Sequence, residues 1–513
     1  MNYETLNESI FFVRIPYKDI FTTVYLVKTD EGALLFDTAT DEGDVSKYIL
    51  PMLSALGVTD AELKYVFISH KHADHSGGLD ALLAAFPSLC VVSRSVFLRA
   101  RYGKGRFLFP EDGDTLLRML RVVTVPGHTF DSEALLDTRT GTLISGDCLQ
   151  LYGILGSGDW AAHINFPKEH RRAIEKLRTL KIERIAAAHL YEPYGQLCEG
   201  RDAVSAALDA CLLPLDGIER LIRENPALDD EAVRALYNAT PNAPTVAEKI
   251  VTAVRRDMTD AFTELKVISF NIRFCDDKDG HTIPERAPRL ASLTEPYDAD
   301  VIGFQEYTPA WEEEIEHFFG EKYEIFNKYR AESNHEGGPI LWKKDRFDCL
   351  TRGWFWLSDT PEVESRGWDE LYNCYRICLY AVLRDKRSGK CFTVMNTHFG
   401  FGDRGQTASA ELIAAYAKRI SAYPTFITGD FNMTPASPGY EEMTSHFIDA
   451  NAVTAKDFRD TYHAYDPTKE RDQHIDYCFV TPAIAPLSHE IIDGRVEGKY
   501  PSDHFGLFFR LGI

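Results

Sequence analysis

The sequence predicts an α/β protein made of two domains joined by a helical segment, and three observations support this prediction. Its 513 residues exceed the roughly 100–200 residues of an ordinary domain. Apolar, strand-like runs alternate with helical segments twice, once over residues 1–205 and again over residues 263–513. Between them, residues 206–262 show helical periodicity, with "NATPNAP" as a break. We therefore expect two α/β domains and a helical extension that also connects them.

Local patterns predict the individual elements. "TVYLVKTDEGALLFDTA" indicates two strands around an Asp-Glu-Gly turn, and "AELKYVFIS" indicates a buried strand. "GGLDALLAAF" then has the spacing of a helix. Three further apolar runs, "LRVVTVPGH", "GTLISGDCL" and "IERIAAAHL", end on or near polar residues of chemically useful types. From residue 265, "LKVISFNIRF" begins the second α/β pattern.

The composition is that of a globular protein with a strongly acidic balance. Hydrophobic residues make up 44% and charged residues 26%, so each half can bury a core. The formal net charge of −22 repels phosphate polyanions at long range. Extended nucleic acid is therefore a disfavoured partner unless a local basic groove exists. A small ligand, or one held through bound cations, fits this charge better.

The N-terminus and the cysteines predict a cytoplasmic protein. "MNYETLNESIFF" lacks the basic start and apolar core of a signal peptide, and no apolar run approaches the length of a membrane span. The 10 cysteines are scattered without a C-x-x-C pair. Because disulfides are rare in the cytosol, we expect reduced thiols and no membrane partner.

Three histidines and an aspartate fall within the segment "HKHADH", residues 70–75. Zinc binds imidazole and carboxylate groups, and a catalytic site leaves a position open for water. Taken alone, the segment is equally consistent with a polar turn of hydrogen-bonded histidines. Three more such residues follow predicted strands in "VPGHT", "SGDCL" and "AAHLY". The candidate ligands are thus His70, His72, Asp74, His75, His128, Asp147 and His189.

This ordered set resembles the metallo-β-lactamase superfamily over roughly the first 200 residues. The resemblance implies a four-layer αββα sandwich that binds two Zn²⁺ ions. It places His70, His72 and His128 on one ion, Asp74, His75 and His189 on the other, and Asp147 between both. It also implies that Asp74 takes part in catalysis. Two cations that share a carboxylate can share a water and lower its pKa, which predicts hydrolysis of an ester, lactone, thioester, amide or phosphodiester.

An iron-dependent oxidoreductase is the alternative for the first half. His72 stands where the diiron relatives that reduce oxygen carry Glu, which favours hydrolysis. The iron-dependent sulfur dioxygenases share the histidine pattern, however, so iron stays open as the metal.

Four other residues of the first half are weaker candidates. We expect Asp37 to support a ligand histidine through its other ring nitrogen. Tyr191 and Tyr194 follow His189 and could polarise a substrate carbonyl, although packing is the more common role of such tyrosines. His163 could line the pocket, although a hydrogen-bonded surface histidine is the simpler interpretation.

The second half contains its own ordered set of polar residues near strand ends. The motifs are "SFNIR", "GFQEY", "VMNTHFG", "ITGDFN", "HIDYCFV" and "YPSDHFG". Any one of them is ordinary, since "GDFN" alone can be a turn with an Asx hydrogen bond. The candidate residues they supply are Asn271, Glu306, His398, Asp430, Asn432, Asp476, Asp503 and His504.

Taken together, this set resembles the endonuclease/exonuclease/phosphatase family of metal-dependent phosphoesterases across residues 265–513. The resemblance implies a second αββα sandwich. Glu306, with Asn271 and Asp503, would hold Mg²⁺ or Mn²⁺, which favour oxygen ligands. Asp430 would orient and deprotonate the attacking water. Asn432 would bind a substrate oxygen or the nucleophile. His398, together with His504 oriented by Asp476, would contact the phosphate and stabilise the transition state.

The substrate is predicted only by class. Arg273 stands where some DNA-repair members carry an acidic residue, which puts their second metal contact in doubt. Trp354 and Trp356 could stack on a base or sugar, although packing is the favoured interpretation. We expect a small or nucleotide-like phosphoester substrate and a bifunctional hydrolase. The alternative is that one domain is a non-catalytic binding module.

Overall fold

The computed structural model describes residues 3–18, 20–149, 163–191, 195–241, 243–258, 262–454 and 458–513. The chain forms two compact units, Met1–Thr259 and Asp260–Ile513. The helices of the predicted extension fall within the first unit.

Two sheets form the centre of the first unit. In the described residues, the seven-stranded sheet has the order β1-β2-β3-β4-β5-β6-β7 and the six-stranded sheet the order β13-β12-β11-β10-β9-β8. Strands β4 to β7 run parallel, as do β11 and β12, and the other pairs are antiparallel. The strands are β1 (Glu4–Thr5), β2 (Ile10–Tyr17), β3 (Ile20–Thr29), β4 (Gly32–Phe36), β5 (Leu63–Phe67), β6 (Cys90–Val92), β7 (Phe107–Leu108), β8 (Thr115–Leu116), β9 (Leu120–Thr124), β10 (Glu133–Asp137), β11 (Thr142–Gly146), β12 (Arg184–Tyr191) and β13 (Gly195–Glu199).

Helices cover the outer faces of both sheets. They are α1 (Glu42–Asp44), which continues through a π-helical turn (Val45–Ile49) into α2 (Leu50–Ala55), then α3 (Ala73–Ser76), α4 (Leu79–Ala85), α5 (Val96–Tyr102), a 3-10 turn (Lys104–Arg106), α6 (Pro167–Arg178), α7 (Arg201–Ala210), α8 (Leu213–Glu224), α9 (Asp230–Asn238) and α10 (Glu248–Asp257). Helices α8 to α10 share a separate apolar cluster that includes Ile164, in the segment just before α6.

The strand pattern of "TVYLV" explains the layering of the first unit. Alternate side chains of a strand point to opposite faces. Tyr25 and Val27 therefore pack between the two sheets, whereas Val24 and Leu26 pack against the helices of the outer layer. The result is an αββα sandwich.

The second unit repeats this architecture with two six-stranded sheets in its described residues. Their orders are β16-β19-β15-β14-β27-β26 and β20-β21-β22-β23-β25-β24, and β17-β18 form a separate hairpin. Only β14–β15 and β22–β23 are parallel among the described pairs. The strands are β14 (Glu264–Asn271), β15 (Val301–Gln305), β16 (Tyr323–Phe326), β17 (Tyr329–Ala331), β18 (Asn334–Gly337), β19 (Ile340–Lys343), β20 (Phe347–Trp356), β21 (Ile377–Asp385), β22 (Cys391–His398), β23 (Thr425–Asp430), β24 (Ile448–Asp449), β25 (Asp476–Val480), β26 (Ala485–Ile492) and β27 (Gly506–Gly512).

Alternation along β14 again assigns the layers. Leu265 and Val267 face the other sheet, while Ile268 and Phe270 face the outer helices. The helices are α11 (Ile283–Thr294), followed by a 3-10 turn (Glu295–Tyr297), then α12 (Pro309–Phe319), α13 (Asp403–Ile420), α14 (Pro438–His446) and α15 (Ala450–Thr454). The predicted α/β class with two αββα sandwiches is therefore confirmed.

A buried ion-pair network ties the second unit together away from any site. Arg346 lies 2.5 Å from Asp300 and 2.8 Å from Asp385, and all three side chains are buried. Lys343 also pairs with Asp300 at 3.1 Å, so removal of Arg346 would leave the buried charge of Asp385 without compensation.

In the part of the chain that the structure describes, no helix combines the length and apolar character needed to cross a bilayer.

Candidate active sites

The segment "HKHADH" follows β5 and runs into the short helix α3. His72 precedes α3 with extended backbone, so Asp74 and His75 fall on the first helical turn. Hydrogen bonds from two threonines fix the backbone there: Thr38 N and Oγ1 donate to His75 O (2.8 and 3.1 Å), and Thr22 Oγ1 donates to Asp74 O (3.2 Å). Gly77, at the end of α3, has no room for a side chain, because a Cβ would lie 1.9 Å from Thr40 O.

All seven predicted ligands of the first unit converge on one buried centre. His70, His72 and His128 form one group whose potential ligand atoms lie within 4.8 Å of one another. Asp74, His75 and His189 form a second such group, and His70, His75 and Asp147 a third. Asp147 Oδ1 lies 3.4 Å from His75 Nε2 and 3.2 Å from His189 Nε2, and Asp147 Oδ2 lies 3.7 Å from His128 Nε2. Asp147 therefore contacts both sides of the centre.

The ring nitrogens that point away from the centre have partners. A ligand histidine needs such a partner to fix its tautomer and ring orientation. The contacts are His70 Nδ1 to Ser69 Oγ (3.1 Å), His75 Nδ1 to Asp37 Oδ2 (2.8 Å), His128 Nδ1 to His163 O (2.9 Å) and His189 Nδ1 to Phe21 O (2.7 Å). In each case Nε2 remains directed toward the centre.

The protonation preferences differ across the centre. Burial lowers the pKa of His72 and of His128 to about 4, so both imidazoles are neutral at pH 7. Burial also lowers the pKa of His189, but the Asp147 carboxylate outweighs it, and the pKa rises to about 9. Burial raises the pKa of Asp147, yet His189 and His75 hold it well below its usual range. On one side of the centre the imidazoles of His72 and His128 are thus neutral. On the other side the imidazoles of His75 and His189 pair with the Asp147 carboxylate.

The weaker candidates of the first unit are placed as follows. Asp37 is fully buried and contacts His75 as predicted. His163 contacts His128 twice: its backbone carbonyl lies 2.9 Å from His128 Nδ1, and its ring packs edge-on against the His128 ring with the centroids 6.1 Å apart. Tyr194 and the side chain of Tyr191 lie outside the described residues.

In the second unit, strand register aligns three of the predicted residues. His398 is opposite Asp430 in the β22–β23 pair, and Asp430 is opposite Asp476 in the β23–β25 pair. Directly opposite residues project from the same face of a sheet. The three side chains therefore leave the sheet side by side at one edge.

Asn271 lies on the other sheet and hydrogen-bonds to one of these three residues. It ends β14, and its Nδ2 donates to Glu306 Oε1 (3.0 Å) and to Asp430 Oδ2 (2.9 Å). Glu306, His398 and Asp430 form one group with potential ligand atoms within 4.8 Å, and Asp430, Asp476 and His504 form another. Asp430 is common to both groups and lies at the centre of the site.

The two histidines of the second unit have opposite charge preferences. Burial and the nearby Arg376 lower the pKa of His398 to about 3, and its Nε2 lies 2.9 Å from Asn432 Nδ2. Burial also lowers the pKa of His504, but Asp476, 2.9 Å from its Nδ1, outweighs it and raises the pKa to about 10. His504 is therefore a cationic donor near pH 7, and His398 is neutral.

Asp503 joins none of the three-residue groups found in the described chain. Its Oδ2 lies 3.7 Å from Arg273 Nε, and Arg273 also pairs with Asp277 at 3.0 Å. Burial raises the pKa of Asp503.

Glu306 and Asn432 both have left-handed backbone, with φ of 62° and 48°. Such conformations store strain and cluster at functional sites.

Sequence reasoning missed two residues beside this site. Glu336 Oε1 lies 3.6 Å from His398 Nδ1, and the Tyr462 ring packs 5.0 Å from the His504 ring. Both lie outside the strand-end pattern, so spacing gave no signal for them.

Of the two tryptophans considered as stacking residues, Trp356 is buried and donates to Arg330 O (2.7 Å), whereas Trp354 is 41% exposed.

The fold and the two sites define a pair of metal-dependent hydrolase-type domains, and comparison with known proteins gives the families. Residues 17–189 match the metallo-beta-lactamase superfamily, and residues 268–504 match the endonuclease/exonuclease/phosphatase family. The chain thus contains a metallo-beta-lactamase domain in its first part and an endonuclease/exonuclease/phosphatase domain in its second, as the sequence predicted. Both are families of hydrolases.

Individual relatives are similar to one part of the chain each. A Beta-lactamase-like protein 2 homolog from Caenorhabditis elegans is 29% identical over 172 residues, which cover 33% of this chain and 55% of the relative. An Atrochrysone carboxyl ACP thioesterase from Aspergillus fumigatus is 30% identical over 146 residues, 28% of this chain and 32% of the relative. The chain thus spans about half or less of the length of these relatives. An endonuclease/exonuclease/phosphatase family protein from Bacteroides thetaiotaomicron aligns with 49% of this chain and 99% of its own, with 27% identity and a TM-score of 0.46.

Proposed function

We propose that the chain is a bifunctional metal-dependent hydrolase. Its first unit would cleave an ester, lactone, thioester or phosphodiester with two zinc ions. Its second unit would cleave a small or nucleotide-like phosphoester with Mg²⁺ or Mn²⁺. The convergence of all seven first-unit candidate ligands on one buried centre carries the proposal.

The donor set of the first unit suits two zinc ions. Within the described residues the buried Nε2 of His75 makes no well-aligned hydrogen bond but lies 3.4 Å from the carboxylates of Asp74 and Asp147, and the other nitrogen of that ring is held by Asp37. A buried nitrogen with a fixed tautomer that faces two carboxylates fits a metal ligand. His70, His72 and His128 would hold one ion, and Asp74, His75 and His189 the other, with Asp147 shared. When bound, such a pair lowers the pKa of a water and stabilises negative charge on the substrate.

The chain's own residues of the first unit fix the geometry for this chemistry. Asp37 and the carbonyls of Phe21 and His163 keep the imidazole nitrogens directed inward. The similarity to a protein named as a thioesterase adds support for an ester or thioester substrate.

The second unit offers the oxygen donors that magnesium prefers. Glu306 and Asp430 both accept from Asn271, which brings two carboxylates together. A divalent cation on Glu306, Asn271 and Asp430, with Asp503 as a further proposed ligand, would stabilise charge on the phosphate.

Other residues of the second unit would move protons and hold the phosphate. Asp430 is the acceptor for a proton of the attacking water. His504, held by Asp476, donates to a phosphate oxygen through Nε2, which lies 3.8 Å from Asp430 Oδ2. Asn432 and His398 bind one another and present a polar edge to the substrate.

The proposal is tested by separate inactivation of each centre in the full chain. Asp147→Asn should abolish hydrolysis of the ester and thioester members of a substrate panel, and Asp430→Asn should abolish Mg²⁺-dependent phosphoester hydrolysis. Asp348→Asn, at a half-exposed surface pair with Arg384, is the matched control and should retain both. Phosphoester hydrolysis that survives Asp430→Asn would show that the second-unit assignment is wrong.

Metal content provides an independent test of the first unit. Protein purified without added metal should contain about two zinc ions per chain, and fewer in Asp147→Asn. A single iron with oxygen consumption on sulfur compounds would instead support the oxidoreductase alternative.

A further inference from the structure

We propose that Arg471 and Tyr462 form a subsite for a second anionic group on the substrate, a phosphate or carboxylate separate from the ester that is cleaved. This inference rests on the proposed phosphoester hydrolysis by the second unit. It narrows the substrate class to phosphoesters that carry at least one further negative charge.

Backbone hydrogen bonds hold the loop that carries both residues. Thr461 N and Tyr462 N donate to Gln473 O, at 3.0 and 3.2 Å, across the base of the loop. Arg471 N donates to the Asp460 carboxylate at 2.5 Å. Tyr462 also forms an isolated β-bridge with His504. The loop thus has a fixed position beside the catalytic histidine.

The side chains form a stack that leads away from the catalytic centre. The Tyr462 ring lies 5.0 Å from the His504 ring, and the guanidinium carbon of Arg471 lies 5.9 Å from the Tyr462 ring. Arg471 is therefore separated from His504 by one aromatic ring. A second charged group on a small phosphoester can span a separation of this order.

The charge of Arg471 has no counterpart in the described part of the protein. Within those residues no carboxylate lies within ion-pair distance of it, and its buried Nε has no hydrogen-bond partner. Three other guanidinium groups around this site are paired with carboxylates, and Arg286 donates to backbone carbonyls instead. The pairs are Arg273 with Asp277 (3.0 Å), Arg330 with Glu336 (2.6 Å) and Arg376 with Asp369 (2.9 Å). In a chain of net charge −22, an unpaired arginine beside the catalytic residues points to an anion supplied by the ligand.

The chemistry of the two residues matches an anionic group of planar or tetrahedral shape. A guanidinium presents several N–H donors that bind carboxylate or phosphate oxygens in pairs. The Tyr462 hydroxyl makes no hydrogen bond within the described part of the chain, so it is available as a further donor.

The test uses the full metal-loaded chain and a matched series of esters. The series contains ω-carboxyalkyl phosphates of increasing chain length, the uncharged ω-carbamoyl counterpart of each, and the corresponding alkane bisphosphates. Each carboxylate–amide pair differs in charge at nearly constant shape, and the bisphosphates distinguish a phosphate preference from a carboxylate preference. We expect the wild type to favour a charged member over the amide in kcat/KM, through a lower KM. Dissociation constants measured by calorimetry on Asp430→Asn should show the same preference without turnover.

Arg471→Gln should reduce this charge preference by about tenfold or more, since hydrogen bonds to charged groups are the strong ones. Arg471→Lys should restore part of it. Lys469→Gln is the matched control, because Lys469 lies in the same loop, is exposed and pairs with Asp466 at 3.1 Å. Its charge preference should equal that of the wild type.

The outcomes separate this inference from the proposed function. If the wild type hydrolyses the esters but does not distinguish carboxylate from amide, the subsite is refuted and the hydrolysis stands. The subsite is likewise refuted if Arg471→Gln keeps the preference. If charge-dependent binding is present and lost in Arg471→Gln, yet no ester is hydrolysed, the subsite is supported and the proposed hydrolysis is contradicted.

Discussion

Replacement of Asp37 by asparagine should weaken zinc binding without loss of the fold of the first unit. Asp37 is fully buried and accepts three hydrogen bonds: from Ser69 N (2.8 Å), from Ser69 Oγ (2.9 Å) and from the His75 ring (2.8 Å). Its φ of 64° lies in the left-handed region. Asparagine tolerates that region and keeps the shape of the side chain, so the backbone cost is small.

The asparagine would change the tautomer of His75. An amide has a single acceptor oxygen, and if Ser69 N keeps it, the amide nitrogen faces His75 Nδ1. The His75 proton then moves to Nε2, the atom 3.4 Å from both Asp74 and Asp147 and directed toward the proposed metals. Loss of a hydrogen bond to a charged group costs about 1.5–3 kcal/mol. This corresponds to a fall in zinc affinity of roughly 10–100-fold, the usual effect of removing such a supporting residue.

The measurement is a zinc titration of the full chain in competition with a chromophoric chelator. Denaturant unfolding in the presence of excess chelator reports the stability of the metal-free fold. Asp137→Asn is the matched control, because Asp137 is buried in the same unit and accepts from Arg139 at 2.9 Å, in a hydrogen-bond network separate from the proposed ligand histidines. It should lower stability but not zinc affinity. Wild-type zinc affinity in Asp37→Asn would contradict this role of Asp37.

Three further predictions concern stability and charge. Arg346→Ala should destabilise the second unit by about 3–5 kcal/mol, because it leaves the buried Asp385 carboxylate without a cation and leaves Asp300 with Lys343 alone. Arg384→Ala, at an exposed pair, should cost less than about 1 kcal/mol in the same denaturant titration. Gly77→Ala should destabilise the first unit by about 1–3 kcal/mol or more, since its Cβ meets backbone oxygen, and a wild-type melting temperature would contradict this. Asp476→Asn should lower the pKa of His504 from about 10, which NMR titration of the ring measures. In the wild type the raised pKa stabilises the folded state; this contribution is fully present below about pH 6.5 and is lost as the pH rises through about 10. In Asp476→Asn the free energy of unfolding should lack this fall with pH.

The sequence predicted the parts of the fold and sites that follow from local pattern. Apolar, strand-like runs indicated strands in both domains, and polar residues near their ends supplied both sets of candidate site residues. Strand ends meet at one edge of a sheet, so residues such as His128 and Asp147 had to lie close together once the sheet formed. Each domain boundary remains a prediction, although the helices after residue 200 fall within the first unit.

The sequence did not predict which residues of the second unit share a group, or what surrounds them. Glu306 lies with His398 and Asp430, whereas Asp503 faces Arg273. That distinction depends on strand register and on loop conformation, which spacing along the chain does not encode. Glu336 and Tyr462 were missed for the same reason, because Glu336 lies in a hairpin and Tyr462 in a long loop.

The left-handed backbone at Glu306 and Asn432 has a consequence for protein engineering. Glycine adopts this conformation without steric cost, so glycine at either position would relieve local strain of about 1 kcal/mol or more. At 306 it would also remove one of two carboxylates that share a hydrogen-bond donor. Where this relief exceeds the loss of the hydrogen bonds these side chains make, selection for thermal tolerance alone would favour variants that have lost them. A library of this enzyme needs a turnover screen at every round, because its most heat-resistant members would include ones without a proposed active-site residue.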